Sequence, residues 1–171
     1  MDSLVLHNGT IVTVDENNRI IKNGTVRVGS DGRITAVEPS SADTTPADAD
    51  RVIDVDGEIV IPGLIDAHRH TDFTLVQGLF SELQGGELLK EAIALYHRAE
   101  ADLDETLFEA AWRLASLRQL SHGVTTVNAM DFTPELGAET LGEAGLRGVV
   151  GPELADRIKP AGPEAQLTEA R

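Results

Sequence analysis

Ile61-Pro62-Gly63-Leu64-Ile65-Asp66-Ala67-His68-Arg69-His70 is the stretch on which the reading of this chain turns. A Pro-Gly break followed by an apolar run predicts a short strand, and side chains two apart on a strand share a face. Leu64, Asp66, His68 and His70 are therefore expected on one side, with Ile65, Ala67 and Arg69 on the other. That places two imidazoles together at the carboxyl end of the strand, where parallel βα architectures gather their ligands and catalytic groups. Two neutral imidazoles suit a divalent cation such as zinc, but a catalytic site takes about three protein ligands and a water. His68 and His70 thus read as half of a metal site. Asp66 could orient an imidazole, pack, or accept a backbone hydrogen bond, and Arg69 is expected to find an ion-pair partner away from the metal.

Downstream of this strand the periodicity changes to that of helices. Glu87–Arg98 and Leu103–Ser121 have helical spacing, the second with Leu107, Ala111, Leu114 and Leu117 or Arg118 on one face and Phe108 and Trp112 joining the packing. His122-Gly123 closes that helix, Val124–Val127 reads as a buried strand, Pro134–Ala144 as a helix ending at Gly145, and Arg147–Gly151 as a further strand. Strand, helix, strand, helix, strand at these spacings predicts parallel βαβ units. Three parallel strands do not close a barrel, and Pro163–Arg171 reads as a helix that begins and is never capped.

Upstream, residues 3–61 read as a meander of short β-branched strands, Leu4–Leu6, Thr10–Val14, Thr25–Val28 and Arg33–Val37, followed by Val52–Val55 and Glu58–Ile61 around Asp56-Gly57. Asn8-Gly9, Asn23-Gly24 and Asp31-Gly32 are expected to make tight reversals. Pro39–Asp50 is a polar connector.

Composition narrows the function. The 171 residues carry 14 Lys and Arg against 29 Asp and Glu, a formal charge of −15, which repels a phosphate backbone and argues against a nucleic-acid partner. Only Lys22, Lys90 and Lys159 are lysines, so a carboxylate-rich surface best tolerated in salt, as in a halophilic cytoplasm, is expected. With no cysteine, disulfides, thiolate metal sites and a cysteine nucleophile are excluded. The first residues have no basic, apolar leader, and no stretch reaches membrane-spanning length, so a cytoplasmic protein without a membrane partner is expected.

Ile61–His70 resembles the signature of the amidohydrolase superfamily at the first strand of its metal-dependent barrel. His7–Asp15 and Asp31–Val37 are similar to the small β-sandwich that precedes that barrel, while Thr74–Gly78, Gly123–Val127 and Ala144–Pro152 resemble the chlorohydrolase and adenosine-type deaminase branch. The resemblance implies an α/β fold: residues 1–61 as the amino-terminal part of a composite β-sandwich, and residues 62–171 as an incomplete (β/α)8 TIM barrel holding its first three strands. It further implies a hydrolase of carbon-nitrogen, non-peptide bonds, in which metal-activated water attacks an amide-like or aminated ring carbon of a small-molecule substrate. His68 and His70 would be metal ligands, with zinc the first expectation and iron the second. Glu100 matches the position of a substrate-binding Glu in the deaminases, although the Trp and Pro that precede it there are absent.

In such enzymes the other ligands, a His from the fifth strand, usually another from the sixth and an Asp from the eighth, lie downstream of the length present here, as does the proton-shuttling acid. His97 falls in an expected helix and His122 before its strand, so both read as surface or capping groups. The leading expectation is an amino-terminal portion of a hydrolase, inactive alone and weak in metal binding. The alternatives are half of a complementing pair of chains and a non-catalytic module that pairs with an intact homologue. An open sheet of this kind is expected to form homo-oligomers or dissolve poorly.

Overall fold

The computed structural model describes residues 2–40, 49–71, 73, 74, 77, 78, 82, 85–87, 90, 91, 94, 105–131, 133–152 and 168. The chain divides into two compact units, Met1–Pro62 and Gly63–Arg171. Most of the connector 39–50, most of the expected helix 87–98, Glu100, His97 and nearly all of 163–171 lie outside the described residues.

The first unit is one five-stranded sheet. Strands β1 (Leu4–Val12), β2 (Ile20–Val28) and β3 (Ile34–Pro39) form an antiparallel meander, and β4 (Arg51–Asp54) and β5 (Ile59–Val60) both run parallel to β1. Two expected reversals are not reversals. Asn8-Gly9 and Asn23-Gly24 lie inside β1 and β2, where Gly9 pairs with Gly24 and the register shifts on either side of that pair. Each Asn has positive φ (60° and 47°), so each dipeptide supplies a bulge, and the extra residue on one strand offsets the extra residue on the other. The chain turns instead at 13–19, where the Asp15 carboxylate accepts from the amides of Asn17 (3.1 Å) and Arg19 (3.2 Å) and from Arg19 Nε (2.6 Å).

Asp56-Gly57 makes no hairpin turn, because β4 and β5 point the same way along β1. The pair is a loop that steps past the β1 bulge, with Gly57 N donating to Asn8 O (2.7 Å) and Thr10 N to Glu58 O (2.9 Å). Asp31-Gly32 does sit at the turn between β2 and β3, with Gly32 at φ 78°. Among the described residues of this unit, Val5, Gly9, Ile11, Gly24, Thr25 and Val26 are buried.

The second unit holds a parallel sheet in the order β6 (Leu64–Arg69), β7 (Val124–Asp131), β8 (Arg147–Pro152). Helix α1 (Glu105–Ser121) leads into β7, and α2 (Pro134–Glu143) joins β7 to β8. Trp112 of α1, Leu141 of α2 and Val124, Val127 and Ala129 of β7 share one core with Leu146. Both helices therefore cover the same side of the sheet. Trp112 is fully buried, its Nε1 donates to Thr133 Oγ1 (3.0 Å), and a Cβ at Gly137 of α2 would collide with its indole ring. The helix pair thus comes close because Gly137 has no side chain.

The period expected for α1 holds but its phase does not. Phe108, Ala111, Trp112 and Ala115 are buried with Ser116 and Gln119, whereas Leu107, Leu114 and Leu117 are exposed. The largest side chain sets the rotation: an indole that must be both buried and hydrogen-bonded outweighs a row of leucines. Among the described residues no helix is long and apolar enough to cross a membrane.

Candidate metal centre

The site begins with a close approach. A Cβ at Gly63 would collide with the Thr125 side chain, and Leu64 N donates to Gly123 O (2.9 Å) as β6 starts beside β7. Gly63 of the Pro-Gly break therefore seats the first residue of β6 against its neighbour.

Along β6 the expected alternation fails between Asp66 and Arg69. Asp66 pairs with Val127 and Arg69 with Ala129, three residues on β6 against two on β7. The cause is local: Asp66 Oδ1 accepts the amide of His68 (3.4 Å), an Asx turn that a strand accommodates only by bulging. Asp66 Oδ2 accepts from Gln119 Nε2 of α1 (2.6 Å). Asp66 therefore lies on the helix side, and it lines with Arg69, Gln77, Arg118, Gln119 and His122 a surface cavity of about 280 Å³ that contains neither His68 nor His70. The reading that Asp66 shares a face with the histidines is corrected accordingly. Of the roles left open for it, the carboxylate takes the backbone hydrogen bond.

His68 and His70 nonetheless meet. Their ring centroids are 5.2 Å apart at an interplanar angle of 67°, and Phe73 lies edge-on to His70 at 6.1 Å. His68 is exposed and His70 half-buried. Arg69, between them, donates from Nη2 to Thr74 Oγ1 (3.1 Å). Asn128 Nδ2 donates to Ala67 O (3.1 Å), tying the middle of β7 to the bulged stretch. Asp131, at the end of β7, is 1% exposed, and its Oδ1 accepts the amide of Thr71 at 2.5 Å. Asn128 and Asp131 thus both hold backbone of the segment 67–71. Their grip on the neighbouring backbone has no periodicity that could reveal it.

His122 stands apart from this end of the sheet, its Nδ1 2.7 Å from Arg118 O at the close of α1. Among the described residues no group of three His, Asp or Glu side chains is placed to hold a metal ion. The donor chemistry of His68 and His70 fits two positions of such a set and leaves the remainder to be supplied.

Residues 59–162 match the amidohydrolase family. The chain is 36% identical over 157 residues to a 5-methylthioadenosine/S-adenosylhomocysteine deaminase of Syntrophobacter fumaroxidans, covering 92% of this chain and 35% of that protein. It is 32% identical over 171 residues to a 5'-deoxyadenosine deaminase of Methanosarcina acetivorans, covering all of this chain and 38% of the relative. The chain thus spans little more than a third of the relatives it matches. Among solved structures, it superposes on a triazine hydrolase from Arthrobacter aurescens with a TM-score of 0.77 at 19% identity, covering 89% of this chain and 36% of the other. An adenosine deaminase from Xanthomonas campestris with bound zinc gives a TM-score of 0.72 at 23% identity, covering 97% and 38%. At these identities the structural likeness shows the fold.

Proposed function

The chain belongs to the amidohydrolase family, and from that premise we propose that it carries the first part of a metal-dependent hydrolase of carbon-nitrogen bonds, deaminase or chlorohydrolase in type. The observation that carries the proposal is the edge-on meeting of His68 and His70 at 5.2 Å at the end of a parallel strand. In this reading β6, β7 and β8 are the first three strands of a TIM barrel and residues 1–61 belong to a composite β-sandwich. His68 and His70 hold a divalent cation, zinc before iron. When bound, the cation supplies a Lewis acid that brings the pKa of a water toward neutrality.

This chain's own residues present and orient the two imidazoles. Asp66 holds the His68 backbone, Asp131 the backbone after His70, and Asn128 the carbonyl of Ala67 just before His68. Glu100 is the proposed substrate contact, by the resemblance. The relatives named above support an aminated ring of the adenosine type as substrate of the whole enzyme, with the late His and Asp ligands coming from sequence beyond the length matched here. Two protein donors are fewer than catalysis takes, so the chain alone is proposed to be inactive.

Zinc titration of the chain, followed by the ring resonances of its histidines, tests the metal reading. Weak binding that shifts His68 and His70 together and disappears in His68→Ala and His70→Ala is expected. Nanomolar binding would show that the chain supplies a full ligand set, and binding indifferent to both substitutions would overturn the assignment.

One observation favours a second reading, in which the chain pairs with an intact homologue or a separately encoded second half. Ile65, Met130 and Val149 of the parallel sheet are exposed, Ile65 by 69%. Mixing with a polypeptide that carries the late His and Asp ligands would then give a heterodimer and restore deamination. A well-behaved monomer that ignores that polypeptide would count against it.

A further inference from the structure

We propose that Asp131 is the positioning residue that sets His70 against His68, an inference that rests on the metal reading above and adds the device by which the pair is held. The ladder between β6 and β7 last pairs Arg69 with Ala129, so no strand pairing reaches the peptide that follows His70. That peptide is held by the side chain of Asp131 instead, whose Oδ1 accepts the Thr71 amide at 2.5 Å. Because a peptide unit is planar, fixing the Thr71 N–H also fixes the His70 carbonyl and with it the backbone angle that aims the His70 side chain.

The surroundings keep the contact in place. Thr71 is 2% exposed and Thr74 4%, the carbonyl of Thr71 accepts the Thr74 amide (2.9 Å), and the Thr74 hydroxyl accepts from Arg69 Nη2. A carboxylate is suited to this task because its charge-assisted bond to a backbone amide is about twice as strong as a neutral one. On the other side of the pair, Asp66 accepts the amide of His68. Each histidine is thus flanked by a backbone amide in the grip of a carboxylate, one from its own strand and one from the next.

The test compares Asp131→Ala, Asp131→Asn and Leu141→Ala in the full chain. Leu141 is a core residue of the same unit, outside the candidate site, and serves as a control for lost stability. In the metal-free chain, Asp131→Ala should move the Thr71 amide resonance upfield, speed its exchange and shift the His70 ring resonances. Asp131→Asn keeps an oxygen acceptor and should restore most of the original pattern. On titration with zinc alone, Asp131→Ala should weaken binding on the order of tenfold, while Leu141→Ala lowers the melting temperature and leaves the zinc midpoint in place.

An unmoved Thr71 amide and unmoved His70 ring in Asp131→Ala would overturn the proposal, as would equal weakening of zinc by Leu141→Ala. Should the parent chain fail to engage zinc through its histidines, the metal reading falls, and the metal-free resonances still decide whether Asp131 positions His70.

Discussion

The two units use sheets in opposite ways. In the first, each long strand finds its partner across a short connection, β1 with β2 and β2 with β3, and side-chain chemistry at the turns and bulges does the aligning. In the second, no strand pairs with its neighbour in sequence without a helix or a long segment between them, and the alignment comes from a core of Trp112, Val127 and Leu141 contributed by three elements. Local misreadings in the first unit therefore leave its sheet order intact. A change in the second unit's shared core should unsettle every element at once.

The largest expected effect follows from that core. Trp112→Ala should cost the second unit about 3–5 kcal/mol, and should do so without weakening the amides of Val5 and Val26 in the first unit. Residue-resolved hydrogen exchange checks both halves of this expectation. Equal loss of protection in the two units would break the contrast between them.

A middle effect is expected at the bulge. Asp66→Ala would leave the buried Gln119 amide without its acceptor and remove the Asx turn, at a cost of about 1–3 kcal/mol in urea unfolding. Asp66→Asn preserves an oxygen for the His68 amide and should cost less. If the two variants were equally stable, the Asx turn would have no part in shaping β6.

The smallest effect belongs to the turn of the first unit. The Arg19 side chain beside Asp15 lowers the carboxyl from its usual value near 3.8 to about 2. A depressed carboxyl pKa gives stability that is present above the unfolded value and is lost as pH falls through the folded one. The difference in melting temperature between the parent and Asp15→Asn should therefore be small at neutral pH, and should shrink as pH falls from about 4 toward about 2. A difference constant through that window would show that the ion pair contributes nothing.

Legibility in the sequence followed the range of the determining interaction. The parallel βαβ order was readable because apolar periodicity and connection length are properties of single segments. The meeting of His68 and His70 was also readable, since it needs only two residues near one strand end. Asn8-Gly9 and Asn23-Gly24 were misread for a physical reason. The positive φ that suits a reversal suits a bulge equally, and only the partner strand decides between them. The side taken by Asp66 depends on Gln119, fifty-three residues away, and the burial of Asp131 depends on Thr71 across the sheet. Neither leaves a trace in local pattern. Glu100 rests on resemblance alone.

Trp112 is the only tryptophan of the chain, and its indole is enclosed and bound to Thr133 within the second unit. Fluorescence excited at the red edge of the protein's absorption therefore comes from one reporter in one place. A shift of its emission on heating or in denaturant dates the opening of the parallel sheet and its helices, while the meander of the first unit unfolds in silence and needs another probe.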